Sequence, residues 1–455
     1  MNALYILCGL GIVSLVSEIL NFKKWLLPIV IVGLSVAIVA ASFEWNNTTH
    51  FFGNMVIFDH FAIAFTVLIC MVAFFWFWMA HSYFDNKEHL TDQAALILFS
   101  LVGAIILTSI NNMAMLFLGI EILSIALYVL VGSKKDSLFS TEAAFKYFLM
   151  GSFATGFLLM GIALIYGATG SFELTKISAF ISAHSKELPL FFYSGVLLVL
   201  IGMSFKISAV PFHFWAPDVY QGAPTAITAF MSTIVKIAAF AAIIRLFAGC
   251  FIEISSTWLN ILSVITVLTL VLANVTAVYQ TNVKRMLAYS SVGHAGYVLI
   301  ALVCGGNISN VVLYYLSGYS IASLIAFTVL NQMEENNQGI TIESFNGLFN
   351  RSRFLAVAMT IALLSLAGIP PLAGFFGKYL LLSLAVGAGH IWLVAVAIVT
   401  SVIGVYYYFK IILAMYFKSD SQSQVPVSFS QRLLLAVLLI LVFVLGIFPD
   451  LFQVL

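Results

Sequence analysis

Residues 189–220 read PLFFYSGVLLVLIGMSFKISAVPFHFWAPDVY. The stretch opens with an apolar run of about the length that a bilayer crossing takes, since a hydrocarbon core about 30 Å thick accepts roughly 20 apolar residues per helix. Lys206, Pro211 and Pro217 then interrupt it. Proline removes a backbone donor and clashes with the preceding turn, so this crossing is expected to break at mid-depth. Broken backbone in a bilayer is tolerated only where protein or a water-filled cavity satisfies it. The segment therefore reads as a membrane helix built around a charge and a gap.

The rest of the chain agrees. Its 455 residues are 62% hydrophobic and only 8% charged, with a mean hydropathy of +1.10. A soluble domain covers itself with roughly 25% charged residues, and no such surface can be made here. A net charge of +1 gives no reason to expect an acidic or nucleic-acid partner; the lipid bilayer is the expected surround. The four cysteines, Cys8, Cys70, Cys250 and Cys304, are scattered with no C-x-x-C pattern, which argues against an iron–sulfur or zinc site. The first apolar run has no basic leader, so its helix is expected to be retained.

Apolar runs predict an all-α membrane protein of fourteen spans, at about 3–21, 25–43, 58–81, 93–110, 113–132, 142–167, 189–220, 225–249, 256–280, 285–304, 309–332, 354–388, 391–417 and 432–449. The twelfth resembles the seventh: Gly368, Pro370, Pro371, Gly374 and Gly377 interrupt it. Eleven basic residues (Lys23, Lys24, Lys87, Lys134, Lys135, Lys284, Arg285, Arg351, Arg353, Lys418 and Arg432) fall in odd-numbered connections, against Lys176 and Lys186 in even ones. By the positive-inside rule the odd connections are cytoplasmic and both termini face outward. The segment at about 333–353 reads as a solvated loop on that side, and no soluble domain is expected. Ala126-Leu-Tyr-Val-Leu in span five resembles Ala295-Gly-Tyr-Val-Leu in span ten. With two broken spans five apart, the single membrane domain is expected to hold two inverted five-helix repeats, about 93–249 and 256–417. Transporters place their sites at such matched breaks.

Glu121 falls near the middle of span five and Lys236 near the middle of span eight; Lys206 and Lys378 flank the two breaks. Lys146 lies one turn inside span six. A central charge costs roughly 2.5–3.5 kcal/mol, so four or five cost about 10–17 kcal/mol before pairing. One central acid cannot neutralise three lysines. An unpaired ammonium in low dielectric is pushed toward its neutral form, which lets it gain and lose a proton near neutral pH. Glu121, moving toward or away from Lys206, would gate that exchange. His213, in the break, and His294, in span ten, are candidate relays. The alternative is a static bundle, with Glu121 paired to one lysine, Lys146 and Arg245 snorkelling, and both histidines hydrogen-bonded in the core. Asp59 and Asp218 read as interfacial caps.

Three stretches carry a resemblance. Phe205–Thr225 with Lys206, Pro211, His213, Pro217 and Asp218, Asn282–Tyr297 with Lys284, Arg285 and His294, and Leu366–Lys378 with its broken centre together resemble the antiporter-like membrane subunits of respiratory complex I. The likeness covers essentially spans 3–13. It is nearest to their N-type branch, the counterpart of mitochondrial subunit 2. Subunit M typically carries glutamate where this chain has Lys378, and subunit L adds a long C-terminal arm, whereas this sequence stops at Leu455. Pro370-Pro371 departs from many relatives.

The resemblance implies a proton-translocating subunit of NADH:quinone oxidoreductase in a bacterial inner membrane. Glu121 would pair with Lys206, Lys236 would be the central lysine and Lys378 that of the distal half, with Lys146, His213 and His294 along the same axis. NADH, FMN, iron–sulfur clusters and quinone would belong to partner subunits, and this chain would hold no cofactor. Its partners would be subunit M, small membrane subunits and the peripheral redox arm. Competing relatives are a subunit of a multi-subunit sodium/proton antiporter and one of a ferredoxin- or F420-linked complex.

Overall fold

The computed structural model describes residues 1–84, 89–184, 187–418 and 423–452. Lys87 and Lys186, two of the residues used to orient the chain, lie outside them.

The chain begins with α1 (Asn2–Ile19) and α2 (Lys23–Phe43), which pack against each other. A two-stranded hairpin, β1 (Thr49–Phe51) and β2 (Val56–Phe58), leads into α3 (His60–Met79). Asp59 caps that helix by accepting from the Ala62 amide at 2.8 Å, as its position predicts. Next come α4 (Leu90–Thr108), α5 (Met113–Val131) and the long α6 (Leu138–Thr169). A short helix, α7 (Leu174–His184), precedes α8 (Leu190–Lys206) and α9 (Trp215–Gly222), the two halves of the seventh span. α10 (Thr225–Ile243) runs on through a π-helical turn at Ile244–Cys250. It is followed by α11 (Ser255–Val278), α12 (Val283–Cys304) and α13 (Ser309–Glu335). After the small α14 (Leu348–Arg351) come α15 (Arg353–Ala367) and α16 (Ala373–Gly387), the halves of span twelve, then α17 (Ile391–Phe417) and α18 (Phe429–Ile447).

Twelve crossings among the described residues are single helices long and apolar enough to span. The broken pairs α8–α9 and α15–α16 bring the number to the expected fourteen, with edges within a few residues of the sequence reading. α10, α12 and α13 are buried almost from end to end, whereas α1, α2, α6, α17 and α18 keep much of their surface outside. The buried helices are the ones that carry Lys236 and His294.

Close packing is made with small residues where apolar side chains gain nothing over lipid. A Cβ on Gly161 of α6 would lie 2.7 Å from the Gly195 carbonyl oxygen of α8, and one on Gly195 would lie 2.9 Å from the Gly161 oxygen. The two backbones therefore touch. This contact presses α8, and Lys206 at its end, against α6.

At the face opposite the basic loops, Arg245 bonds Asp59 Oδ1 and the Thr108 carbonyl, each at 2.6 Å, and covers the Phe61 ring. The expectation of a snorkelling arginine is replaced by a clasp joining α10 to the ends of α3 and α4. Arg245→Ala leaves Asp59 without its counter-ion and should cost about 3 kcal/mol. A thermal melt of the purified protein checks it.

Candidate functional site

At the first break the backbone is closed internally. The Phe205 carbonyl accepts from Trp215 Nε1 at 3.1 Å, and the Val210 amide donates to Thr269 Oγ1 of α11 at 2.9 Å. Lys206, the last residue of α8, points inward and is buried. Its Nζ donates to Ser124 Oγ at 2.7 Å, lies 3.5 Å from the Tyr147 hydroxyl and sits over the Tyr147 ring.

Glu121 is three residues before Ser124 on the same helix, half-buried, and accepts from Thr155 Oγ1 at 2.7 Å. Among the described residues no ion pair joins Glu121 to Lys206, contrary to the sequence expectation. Glu121 stays within electrostatic reach of Lys206, and Ser124 takes the place its carboxylate would occupy as direct acceptor.

Two further polar atoms of the break, Ser208 Oγ and His213 Nδ1, are buried without a hydrogen-bond partner. Groups of this kind are normally satisfied by ordered water. His213 itself packs on Phe214.

Lys236 is fully enclosed in α10, where its Nζ donates to the Ser291 carbonyl of α12. Around it the Tyr319 hydroxyl donates to Ser291 Oγ at 2.8 Å. One turn along α12, His294 holds the Tyr315 hydroxyl at 2.7 Å through Nδ1 and the Tyr408 hydroxyl at 3.3 Å through Nε2. His294 lies within electrostatic reach of both Lys236 and Lys378. Among the described residues no hydrogen bond joins His294 directly to either lysine.

At the second break Gly368, with φ of +87°, ends α15 in the left-handed region that glycine enters at no steric cost. Lys378 of α16 folds back over that end, so that its Nζ donates to the Ala367 carbonyl at 2.8 Å and to Ser401 Oγ at 3.0 Å. The ammonium also sits 4.8 Å from the centre of the Tyr297 ring. It borders a largely apolar cavity of about 580 Å³ between α16 and α17.

Lys146 belongs elsewhere. It sits at the basic face in a cluster with Glu142 and Asp218, both at 2.8 Å, and Asp218 is held in turn by Arg285 at 2.6 Å. Asp218 is an ion-pair partner here, where the sequence reading made it a cap.

Charge and depth pointed to the lysines. The hydroxyls around them were not legible, because serine and tyrosine are ordinary residues of membrane helices: Ser124 and Tyr147 at Lys206, Ser401 at Lys378, and Tyr315 and Tyr408 at His294. Among the described residues no group of three or more histidine, cysteine, aspartate or glutamate side chains is placed to hold a metal.

Residues 110–404 match the family described as NADH:quinone oxidoreductase/Mrp antiporter, transmembrane. The chain is 45% identical to the NADH-quinone oxidoreductase subunit N of Cytophaga hutchinsonii, over 99% of this chain and 98% of the relative. It superposes on a chain of respiratory complex I from Thermus thermophilus with a TM-score of 0.84 at 32% identity, covering 99% and 98% of the two chains. A chain of the Mrp complex from Dietzia shares the fold, with a TM-score of 0.87 at 20% identity over 99% and 96%.

Proposed function

We propose that this chain, which belongs to the NADH:quinone oxidoreductase/Mrp antiporter transmembrane family, moves protons along its buried row of lysines. It is a proton-translocating membrane-arm subunit of an NADH-quinone oxidoreductase, a multi-span protein of the bacterial inner membrane. The solved chain of the Mrp complex, at 20% identity, shares the fold. Electron transfer from NADH through FMN and iron–sulfur clusters to quinone takes place in partner subunits, and this chain holds no cofactor of its own. It sits beside the antiporter-like subunit M and the small membrane subunits, and it is coupled to the peripheral redox arm.

The observation that carries the reading is the row itself: Glu121, Lys206, Lys236, His294 and Lys378, with hydroxyls or backbone carbonyls as acceptors and no carboxylate in direct contact with any of the three lysines among the described residues. A static bundle would neutralise such charges with acids.

In the mechanism, the Lys206 ammonium exchanges between Ser124 and Glu121, neighbours on one face of α5. Contact with Glu121 holds the proton on Lys206, and contact with Ser124 frees it toward Lys236. His294 passes it between Lys236 and Lys378. Lys146, in its rim cluster, orders the basic-face end of the broken span. We place the basic face in the cytoplasm and both termini outside, and we read 93–249 and 256–417 as inverted repeats whose breaks hold the outer two lysines.

Lys206→Met tests this in the intact complex. Proton uptake per NADH oxidised should fall by about tenfold or more, with the chain still assembled. Undiminished uptake would sink the mechanism. Ser124→Ala, which removes the competing acceptor, should shift Lys206 to Glu121 and slow uptake less.

A further inference from the structure

We propose that Thr155 of α6 is a positioning residue that holds Glu121 off Lys206, so that its hydroxyl sets how often the two groups pair. The inference rests on the reading above, in which contact with Glu121 keeps the proton on Lys206.

Glu121 and Ser124 stand three residues apart on α5, a spacing that puts Cβ atoms on one face about 5–6 Å from each other. The Ser124 hydroxyl donates to the Ile120 carbonyl of its own helix, and its oxygen accepts from Lys206 Nζ at 2.7 Å. The longer Glu121 side chain can therefore reach the same ammonium by rotation about its own bonds. Instead its carboxylate is turned to Thr155, whose Oγ1 donates to Oε1 at 2.7 Å. Among the described residues Thr155 is the one hydrogen-bond donor to Glu121.

Thr155 makes this bond in place of an ordinary one. Serine and threonine within helices return their hydrogen to the carbonyl four residues back. On this same helix Ser152 does so to Phe148 and Thr169 to Ile165, each at 2.8 Å. Thr155 has a single hydroxyl hydrogen and gives it to α5. Should Glu121 leave for Lys206, that hydroxyl can turn back to the Gly151 carbonyl, so neither arrangement strands a polar hydrogen.

The surroundings give the choice its weight. Glu121 is half-buried on a side of α5 where Leu118 is 44% and Ile125 56% exposed. A carboxylate at membrane depth is costly without a partner. The threonine hydroxyl satisfies one oxygen, whereas the ammonium would offset the charge. One helix also reaches both members of the pair, since Tyr147 of α6 lies 3.5 Å from Lys206 Nζ and Thr155 follows eight residues on. Thr155 itself carries no proton along the row; it only decides where the carboxylate rests.

The test uses the intact complex in vesicles, with proton uptake measured per NADH oxidised, recovered assembly as the folding control and an electron cryomicroscopy map of each variant. Thr155→Val keeps the shape and removes the hydroxyl. Glu121 should then lie in ion-pair contact with Lys206, and uptake should fall about tenfold, the population shift that loss of one hydrogen bond to a charged group produces. Thr155→Ser, which keeps the hydroxyl, should match wild type in both. Glu121 still apart from Lys206 in Thr155→Val would overturn the positioning role, whatever the uptake. An equal loss in Thr155→Ser would also overturn it, by tracing the effect to the missing methyl. Glu121 paired with Lys206 at wild-type uptake would uphold the positioning role and overturn the reading beneath it. Should Thr155→Val fail to assemble, Thr155→Ala decides by the same map and the same uptake.

Discussion

Lys236→Met is expected to abolish proton pumping while the chain stays in the membrane. Methionine nearly matches the lysine stem in length and fills the same enclosed volume among α10, α12 and α13, so no cavity opens. It removes an ammonium that no carboxylate contacts among the described residues, and replacing a buried charge by a packed apolar side chain is often neutral or stabilising. The Ser291 carbonyl that loses this donor lies inside a helix. Loss of a positioned proton carrier should lower uptake per NADH by about 100-fold. If the lysine were a structural strut, the outcome would reverse: the complex would be recovered poorly, and whatever assembled would pump. Quantifying assembled complex and proton uptake in the same preparation separates the two.

The second large effect concerns the second break. A Cβ on Gly374 would lie 1.7 Å from the Ser365 carbonyl oxygen, and one on Gly446 of α18 would lie 1.9 Å from the Pro371 oxygen. Both obstacles are backbone, which no rotamer change can remove. Gly374→Ala should therefore push α16 away from α15 and destabilise the chain by about 3 kcal/mol or more, seen as little or no assembled complex. Gly387→Ala, where a Cβ meets nothing within 4 Å, should assemble normally. Equal recovery of the two variants would refute this account of the break.

Much of this was legible in residue order. The fourteen crossings followed from apolar length alone, and the breaks from Pro211, Pro217, Pro370 and Pro371. The lysines stood out because a charge at depth is expensive. α7 escaped the reading because a span search looks for continuous apolar runs. Its Leu174, Ile177 and Ile181 are buried on one stripe, while Lys176 leaves the other side for Glu173. That is the pattern of a helix lying along a surface. The hairpin at Thr49–Phe58 was too short to leave a periodic signal. The contact missing between Glu121 and Lys206 could not be read at all: both residues were identified, but Ser124, three places along the same helix, competes for the same ammonium, and only coordinates decide which acceptor holds it.

The way Lys378 folds back onto Ala367 has an electrical consequence. The carbonyl end of α15 is a fixed negative pole worth roughly half an elementary charge, and it belongs to the backbone rather than to any side chain. No rotation or neutralising substitution can carry it off while the break persists. In the proposed mechanism, an ammonium that surrendered its proton here would leave the pole bare, and the pole would attract the next positive charge to the same spot. The broken helix would then serve its own lysine as a permanent electrode.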